Sequence, residues 1–406
     1  MTKIKKIIIT TLASIVGVFV ILFAVVAIMW RNEISSIMSI EMLVDGSNAE
    51  HGAPVYKMDV KGGYYFDEFI EQGGVSSDQE LINFIVGNLT KGIIPISLEA
   101  PTIGCSSFTA QGSDGTRYFG RNYDFSKTTA MIVETNPGNG RYRSISSVDL
   151  QFLGLTDGQK IEGIMDKVIS LASVYVPLDG INEKGVSCGI YMTYQGPSDN
   201  VVSTDQQTER PDITSTTMLR MVLDYADSVD KAIELIQKYD LHDSASTSFH
   251  YMIADSTGKS AIVEWINGTD KTDTDGSKRE LKVIYNNDDA YVGEKEGQND
   301  FQYVTNFIVS PNYYEDDSEK GGFDRYNKIE EMINPNGTNT SGVITKQQGL
   351  DILETVGRRK WDANNGASDS NSITVWSCLY DLTNKTVTWV SNEQFHDSSS
   401  VFSFSL

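Results

Sequence analysis

The sequence predicts a fold of the α+β class, in which antiparallel sheets carry helices on their outer sides. Strand patterns dominate the chain from Cys105 onwards, and two helices are predicted further on, at 217–227 and 228–239. Strand patterns then return as predicted hairpins at 249–266 and 373–390. Because strands and helices come in separate blocks, their order favours α+β over an alternating α/β architecture. With 40% hydrophobic residues among 406, the chain can build a sizeable core.

An apolar segment near the N-terminus predicts one transmembrane helix in front of this fold. Residues 7–30 carry no charge, and at about 1.5 Å per residue they would form a helix long enough to span a bilayer. Lysines precede the segment, which places the N-terminus in the cytoplasm and the remainder outside. We therefore expect residues 1–30 to be an uncleaved signal anchor of a single-pass, extracytoplasmic protein. A cleaved signal peptide is the alternative, although such peptides usually have a shorter apolar region.

Residues 31–104 are predicted to form a stalk and a leader between the anchor and the main domain. The part before Ser77 shows no clear periodicity and is interrupted by glycine pairs. Ser77 would then cap a helix in which Leu81 and Ile85 belong to an apolar stripe at helical spacing. Two prolines favour an extended chain over 92–102. A plain linker is the alternative, but the helix argues against it.

One stretch early in the main domain predicts a β-hairpin that carries a reactive group. Residues 105–111 and 116–122 have strand-like compositions, and a glycine-rich turn lies between them. Pairing of the two strands would bring Cys105 close to Arg121 and Asp124. A thiol, a guanidinium and a carboxylate would then meet at one edge of a sheet.

This grouping has a chemical interpretation that depends on a break in the chain. A nearby cation lowers the pKa of a cysteine thiol from about 8.5, and the thiolate is the reactive form. If the chain is cut between Gly104 and Cys105, the new α-amino group would serve as the base for its own thiol, and Asp124 would hold the ammonium. The alternative is that Cys105 is a small buried strand residue, with Arg121 and Asp124 as a surface ion pair.

Composition and charge exclude several classes of function. The net charge of −22 argues against a nucleic-acid partner and against peripheral binding to anionic lipid. The odd count of three cysteines leaves at least one thiol without an internal partner, and Cys188 and Cys378 lie in apolar strand-like stretches where core packing is expected. Four scattered histidines, with no cysteine pair at ligand spacing, predict no metal site. No cofactor is predicted.

Two short motifs around Cys105 carry a family resemblance. Gly-Cys-Ser-Ser-Phe at 104–108, followed by Tyr-Phe-Gly-Arg-Asn-Tyr-Asp-Phe at 118–125, resembles the start of the mature choloylglycine hydrolase family. These linear amide hydrolases include bile salt hydrolases and penicillin V acylases, and they use an N-terminal cysteine nucleophile. The stretch is also similar to the acid ceramidase and N-acylethanolamine amidase group, which is made as self-cleaving precursors. The resemblance implies a four-layer αββα sandwich of the N-terminal-nucleophile type, here over residues 105–406.

The resemblance extends to three positions further along the chain. Pro-Leu-Asp-Gly-Ile-Asn-Glu-Lys-Gly-Val at 177–186 is similar to the second family signature and leads to Tyr191, whose backbone N–H would belong to the oxyanion hole. Asn306, in a Thr-Asn pair, matches the side-chain donor of that hole, and Arg325 matches the active-site arginine. Without the resemblance, Tyr191 is an ordinary strand tyrosine, Asn306 a turn residue and Arg325 a solvated helical arginine. The implied catalytic set is Cys105, Arg121, Asp124, Tyr191, Asn306 and Arg325.

The chain departs from typical bile salt hydrolases in what precedes the cysteine. Those enzymes expose it by losing the initiator methionine, whereas here a long segment comes first. Activity therefore requires cleavage of the Gly104–Cys105 bond, most simply by attack of Cys105 on the preceding carbonyl. An uncleaved chain would be a zymogen. This organisation is more similar to the ceramidase-type precursors and puts bile-salt specificity in doubt.

These observations predict an extracytoplasmic amidase that hydrolyses a small-molecule N-acyl amide such as penicillin V or a conjugated bile acid. In penicillin V acylases the residue matching Tyr191 is tyrosine, which favours penicillin V-type acyl groups. Three alternatives stay open: an inactive surface binding protein on the same fold, an N-acylethanolamine- or ceramide-type amidase, and a papain-like enzyme that uses Cys105 with His250 and Asn306. Contact with a membrane is expected only through the N-terminal helix, and a homo-oligomer is possible.

Overall fold

A computed structural model describes the chain in segments, which are residues 27–47, 49, 52–89, 92, 104–196, 200–286, 301–334, 342–365 and 373–406, with Lys3, Ser14, Val16, Gly17, Ala24 and Val25 as separate positions. No helix within these segments is long and apolar enough to cross a membrane. The predicted anchor, residues 1–30, lies mostly outside the described residues, as does the predicted extended stretch at 92–102. Both stay predictions.

Most of the described strands belong to two large sheets. In chain order the strands are β1 (Glu41–Val44), β2 (Val55–Lys61), β3 (Gly104–Gln111), β4 (Arg117–Phe125), β5 (Ala130–Asn136), β6 (Ser144–Asp149), β7 (Asp179–Asn182), β8 (Ser187–Thr193), β9 (Asp212–Thr214), β10 (Asp240–His242), β11 (Ser248–Ala254), β12 (Ser260–Ile266), β13 (Glu280–Tyr285), β14 (Tyr303–Val304), β15 (Ile373–Asp381), β16 (Thr386–Ser391) and β17 (Val401–Ser405). The larger sheet has the order β1-β2-β5-β6-β7-β8-β11-β12-β13, and the smaller has the order β14-β3-β4-β15-β16-β17. Strands β9 and β10 form a separate parallel pair.

The two large sheets face each other, and helices pack on their outer sides. The described helices are α1 (Arg31–Met38), α2 (Phe66–Glu71), α3 (Asp78–Asn88), α4 (Ile164–Ser170), α5 (Ser215–Tyr225), α6 (Val229–Ile236), α7 (Phe323–Ile333), α8 (Lys346–Thr355) and α9 (Arg358–Asn364). Helix α5 packs on β7 and β8 of the larger sheet, whereas α8 packs on β4 and β15 of the smaller one. Between the sheets, Trp376 of β15 donates to Asp179 of β7 over 2.8 Å. The predicted α+β class is confirmed.

Two of the helices begin at a capping serine that is followed by apolar residues at helical spacing. Ser77 caps α3 by accepting a hydrogen bond from the backbone N–H of Glu80, which satisfies one of the free donors in the first turn. Ser228 caps α6 in the same way, and α6 buries an apolar stripe that includes Val229 and Ile233. These helices confirm the predicted helix after Ser77 and the predicted helix at 228–239, which is three residues shorter at its end.

The segment predicted as stalk and leader contributes directly to the larger sheet. Strand β2 pairs in parallel with β5 over its whole length, from Val55 opposite Ala130 to Lys61 opposite Asn136, and β1 pairs with β2 at the edge. Met58 is fully buried. Residues on both sides of the proposed cleavage site therefore share one hydrophobic core.

Candidate active site

The hairpin predicted around Cys105 is confirmed. Strands β3 and β4 pair antiparallel, with Cys105 opposite Tyr123 and Gly104 opposite Asp124. Both strands lie inside the smaller sheet, because β14 flanks β3 and β15 flanks β4. Cys105 and Asp124 are consequently buried, with no exposed surface.

Asp124 is the centre of a buried hydrogen-bond network. Its Oδ2 accepts a hydrogen bond of 2.7 Å from Nη1 of Arg325, on α7, and its Oδ1 accepts one of 2.7 Å from the hydroxyl of Thr374, on β15. Arg325 is nearly fully buried, so the expectation of a solvated helical arginine is wrong. Both carboxylate oxygens of Asp124 are engaged by donors that come from other elements.

Asn306 joins this network to the cysteine. Its Oδ1 accepts hydrogen bonds from the backbone N–H of Cys105 (2.9 Å) and from Nη2 of Arg325 (3.1 Å). Its Nδ2 donates to the carbonyl of Met192, at the end of β8, over 2.9 Å. Arg325 thus bridges Asp124 and Asn306, and four of the six residues predicted for the site form one connected group.

Arg121 does not belong to this group and contacts a different set of residues. Its Nη2 donates to the carbonyl of Ile190 over 2.7 Å, its Nε lies 3.5 Å from Oδ2 of Asp179, and its guanidinium stacks 4.3 Å from the ring centre of Tyr191. The alternative of a surface ion pair between Arg121 and Asp124 is wrong, because both residues are fully buried and each has another ionic partner.

Tyr191 lies within β8 and connects the two sheets. Its hydroxyl donates to Oγ of Ser107, two residues beyond Cys105, over 2.6 Å. Its ring meets the imidazole of His250 edge-on, with 5.6 Å between the ring centres. These contacts belong to the side chain of Tyr191, whereas the role predicted for this residue uses its backbone N–H. That role in an oxyanion hole stays a prediction.

Burial dominates the electrostatics of the thiol in the uncut chain. Desolvation raises the pKa of Cys105 to about 11, although the guanidinium groups of Arg121 and Arg325 oppose this shift. The carboxylate of Asp124 adds to the increase. At neutral pH the uncut cysteine is therefore a protonated thiol, which is a weak nucleophile.

Three residues that position this site were not predicted from the sequence. Asp179 holds Arg121 and also accepts hydrogen bonds from Trp376 and Tyr380. Thr374 bonds Asp124, and Ser107 bonds Tyr191. Asp179 lies inside the 177–186 motif, so a signal for it existed. Ser107 likewise lies inside the 104–108 motif, whereas Thr374 is an ordinary strand residue to which only the register of the sheet gives a role.

The other two cysteines lie in the core, and the described residues form no metal site. Cys188 and Cys378 are unpaired and buried, which confirms their expected place in the core. Among the residues that the structure describes, no group of three or more histidine, cysteine, aspartate or glutamate side chains is arranged to hold a metal ion.

A family comparison identifies the region that contains the hairpin. The model for linear amide C-N hydrolases, choloylglycine hydrolase family, matches residues 105–275. The matched stretch is less than half of the 406-residue chain, and it supports the linear amide C–N hydrolase activity that the resemblance implied. The match begins at Cys105 and includes Arg121, Asp124 and Tyr191, but it ends before Asn306 and Arg325.

Solved structures that are similar to this chain have low sequence identity to it. Two variants of the conjugated bile acid hydrolase from Clostridium perfringens are each 18% identical, with a TM-score of 0.47, and the alignments cover 74% of this chain and 92% of the other. Penicillin V acylase from Agrobacterium tumefaciens is 16% identical with a TM-score of 0.41, over 71% of this chain and 83% of the other. No curated protein matches the sequence.

Proposed function

We propose that the chain is a cysteine N-terminal-nucleophile hydrolase of N-acyl amides that is activated by cleavage of the Gly104–Cys105 bond. One observation carries this proposal. The backbone nitrogen of Cys105 donates to Asn306, which Arg325 connects to Asp124. The nitrogen that would become the catalytic amine is therefore already held by polar groups. The start of the family match at Cys105 and the helices on the outer sides of two facing sheets also support the proposal.

Activation would be an intramolecular reaction at the buried peptide bond. The sulfur of Cys105 attacks the carbonyl carbon of Gly104, the C–N bond breaks, and the departing nitrogen takes the thiol proton. Water then hydrolyses the thioester, which leaves a carboxylate on Gly104 and a free α-amine and thiol on Cys105. Glycine suits the position before the cysteine, because a Cβ on Gly104 would lie only 3.1 Å from Cβ of Asp124.

Turnover would use the same groups on an external amide. The new α-amine, with a reference pKa of about 8, accepts the thiol proton, and the positive charge of Arg121 favours the thiolate. Asp124 orients the ammonium. The amide of Asn306 carries two N–H groups and, together with the backbone N–H of Tyr191, would stabilise the tetrahedral oxyanion. Removal of one such donor typically lowers kcat by about 10²- to 10³-fold.

The substrate would join an apolar acyl group to a small amine. Penicillin V, conjugated bile acids and N-acylethanolamines share this chemistry, and Tyr191 favours the first. We further propose that the catalytic part acts outside the cytoplasm and is attached to the membrane through residues 1–30. The apolar, uncharged character of residues 7–30 and the lysines that precede them support this location.

Intact mass measurement with N-terminal sequencing of the purified protein tests the proposal. We expect a fragment that begins at Cys105 and hydrolyses N-acyl amides. The Cys105→Ala variant should remain one chain and have no amidase activity. Cys188→Ala is the matched control, since Cys188 is equally buried but lies outside the network, and it should be cut normally. A wild-type chain intact across Gly104–Cys105, or hydrolysis by Cys105→Ala, would contradict this mechanism.

A further inference from the structure

His250 and Glu264 form a fully buried pair close to the proposed catalytic residues. They lie directly opposite each other on β11 and β12, and Nδ1 of His250 is 3.0 Å from Oε1 of Glu264. Neither side chain has any exposed surface. Burying a polar or charged pair costs free energy unless its hydrogen-bonding atoms all have partners. The other partners of His250 and Glu264 therefore show what the pair holds in place.

Among the residues that the structure describes, the further hydrogen-bond partners of the pair come from one turn, residues 305–310. Nε2 of His250 is 2.8 Å from the carbonyl oxygen of Thr305. Glu264 accepts hydrogen bonds from the backbone N–H of Val309 (2.6 Å), from the backbone N–H of Ser310 (3.0 Å) and from the Ser310 hydroxyl (2.6 Å). The histidine thus holds the first residue of the turn, and the glutamate holds the last two.

The hydrogen-bond partners around the pair determine where one hydrogen atom of His250 lies. A carbonyl oxygen only accepts, so Nε2 of His250 must carry a hydrogen. Three donors from Val309 and Ser310 point at the Glu264 oxygens, and Nδ1 of His250 also contacts Oε1. Every polar atom of the two side chains therefore has a local partner.

The same pair also touches the strand that carries Tyr191. His250 lies directly opposite Tyr191 in the β8–β11 register, and their rings meet edge-on. Tyr191 in turn stacks against Arg121. Glu264, His250, Tyr191 and Arg121 therefore form a continuous row of buried side chains that ends beside Cys105.

We propose that His250 and Glu264 are positioning residues, which fix the 305–310 turn so that Asn306 reaches the reacting atoms at Cys105. Asn306 is the residue after Thr305, and its Oδ1 already contacts the backbone nitrogen of Cys105. This inference rests on the proposed function. Errors of about 1 Å in the placement of a catalytic group can lower a rate roughly 10²-fold, so a rigid turn matters here.

This role differs from that of a general base. Both ring nitrogens of His250 are bonded to Glu264 and to Thr305, and neither contacts the thiol. The geometry therefore does not favour the papain-like alternative, in which His250 would take the proton of Cys105. A positioning residue acts through Asn306 and should change kcat more than KM.

Three variants test the pair at different severity. His250→Gln keeps one donor for the Thr305 carbonyl but removes the imidazole ring, and Glu264→Gln keeps the volume but loses the carboxyl group. Ser310→Ala removes only one hydroxyl contact and should fold normally. His242→Gln is the matched control, because both ring nitrogens of His242 are likewise engaged, here by the carboxylates of Asp205 and Asp212, and neither contact involves the proposed catalytic residues.

The experiment combines kinetics with hydrogen exchange. The folded, processed enzyme is isolated by size-exclusion chromatography and assayed on an N-acyl amide, with kcat expressed per chain that begins at Cys105, so that neither unfolded nor uncut protein is counted. His250→Gln and Glu264→Gln should lower kcat about 10- to 100-fold with little change in KM. Backbone amides of residues 306–310 should exchange at least tenfold faster. Ser310→Ala should show smaller changes in the same directions, and His242→Gln should show none.

The outcomes separate this inference from the proposed function. Unchanged exchange in the turn, or unchanged kcat per chain that begins at Cys105 in an active enzyme, would overturn the positioning role and leave the amidase mechanism intact. A wild type that neither cleaves itself nor hydrolyses amides would overturn both, whatever the exchange data show. Faster exchange together with a kcat loss in both variants supports the inference.

Discussion

Both carboxylate oxygens of Asp124 accept hydrogen bonds in the uncut chain. The two donors, Arg325 and Thr374, should contribute differently to stability and cleavage because they differ in charge. Oδ2 is bonded to the guanidinium of Arg325, a charged donor, whereas Oδ1 is bonded to the neutral hydroxyl of Thr374. Buried hydrogen bonds between charged groups contribute more than those with a neutral partner. Removal of the carboxylate charge would also leave Arg325 buried without its counter-ion.

Asp124→Asn is therefore expected to lower the free energy of unfolding by about 3–5 kcal/mol and to abolish cleavage at Gly104–Cys105. Equilibrium urea unfolding and the fraction of cut chain measure the two effects. Thr374→Val should lower the free energy of unfolding by only about 1–3 kcal/mol and should slow cleavage without abolishing it. Equal losses in the two variants would contradict the central role of the Asp124–Arg325 pair.

A second residue-scale prediction concerns pH, through the carboxyl of Asp149. Burial raises the pKa of Asp149 from 3.8 to about 6, although the side chain accepts hydrogen bonds from Thr128, Tyr123 and the Gln151 backbone. The folded state therefore holds a proton that the unfolded state has released between these two pH values. The stability that this group contributes is present below pH 3.8 and is lost as the pH rises through about 6.

Asp149→Asn removes this dependence. In the uncut Cys105→Ala background, the unfolding free energy of the parent minus that of the Asp149→Asn variant should fall by about 2 kcal/mol between pH 4 and pH 7, because each unit of pKa shift corresponds to about 1.4 kcal/mol and most of the shift is titrated in this range. Urea unfolding at several pH values measures it. A difference that is constant with pH would show that Asp149 is not the titrating group.

At the scale of single elements, the β3–β4 hairpin depends on one close contact. Gly120 lies directly opposite Phe108, and a Cβ on Gly120 would lie less than 3.0 Å from the Phe108 ring. Phe108 is fully buried and belongs to the same strand as Cys105. A side chain at position 120 must therefore displace the ring or the strand that carries the cysteine.

Gly120→Ala is expected to lower the free energy of unfolding by about 1–3 kcal/mol and to slow cleavage, as overpacking in a close-packed core does. Gly87→Ala is the matched control. Gly87 lies in α3, and within the described part of the chain no neighbouring element comes within 4 Å of the position that an added Cβ would take. Alanine there should be neutral or stabilising by up to about 1 kcal/mol, since glycine is a poor helix former. Urea unfolding and a cleavage time course compare them.

Elements with local signals were predictable, and elements defined by distant partners were not. The hairpin at 249–266 has its two strands within one turn of each other, and the structure has them at Ser248–Ala254 and Ser260–Ile266. Strand β2 was not predicted, because its partner β5 is distant in sequence. The rest of the leader and the β3–β4 hairpin lie between the two strands. Similarly, the residues predicted for the site lie within recognisable motifs, whereas Thr374 acquires its contact with Asp124 from sheet register alone.

At the scale of the whole molecule, the leader is an integral part of the fold. Its strands β1 and β2 complete the larger sheet, and Phe66 and Phe69 pack in an aromatic cluster against Tyr175 of the other part. Polar contacts cross the same boundary, since the hydroxyl of Tyr64 donates to Asp224 and Arg141 donates to the carbonyl of Gly63. None of these contacts involves the Gly104–Cys105 bond.

We therefore predict that the two chains stay associated after cleavage. They should co-elute in size-exclusion chromatography and separate only in denaturant, because separation would expose β5 and the aromatic cluster to water. A protease site placed within 93–103 of the Cys105→Ala variant allows the same test without self-cleavage. Phe69→Ala, which should cost about 3–5 kcal/mol, should let the leader dissociate at lower urea concentration, whereas the exposed Glu71→Ala should not. Free leader in native buffer would mean that burial within the shared sheet does not outweigh the entropy gained on separation, and the retained-leader prediction would then be wrong.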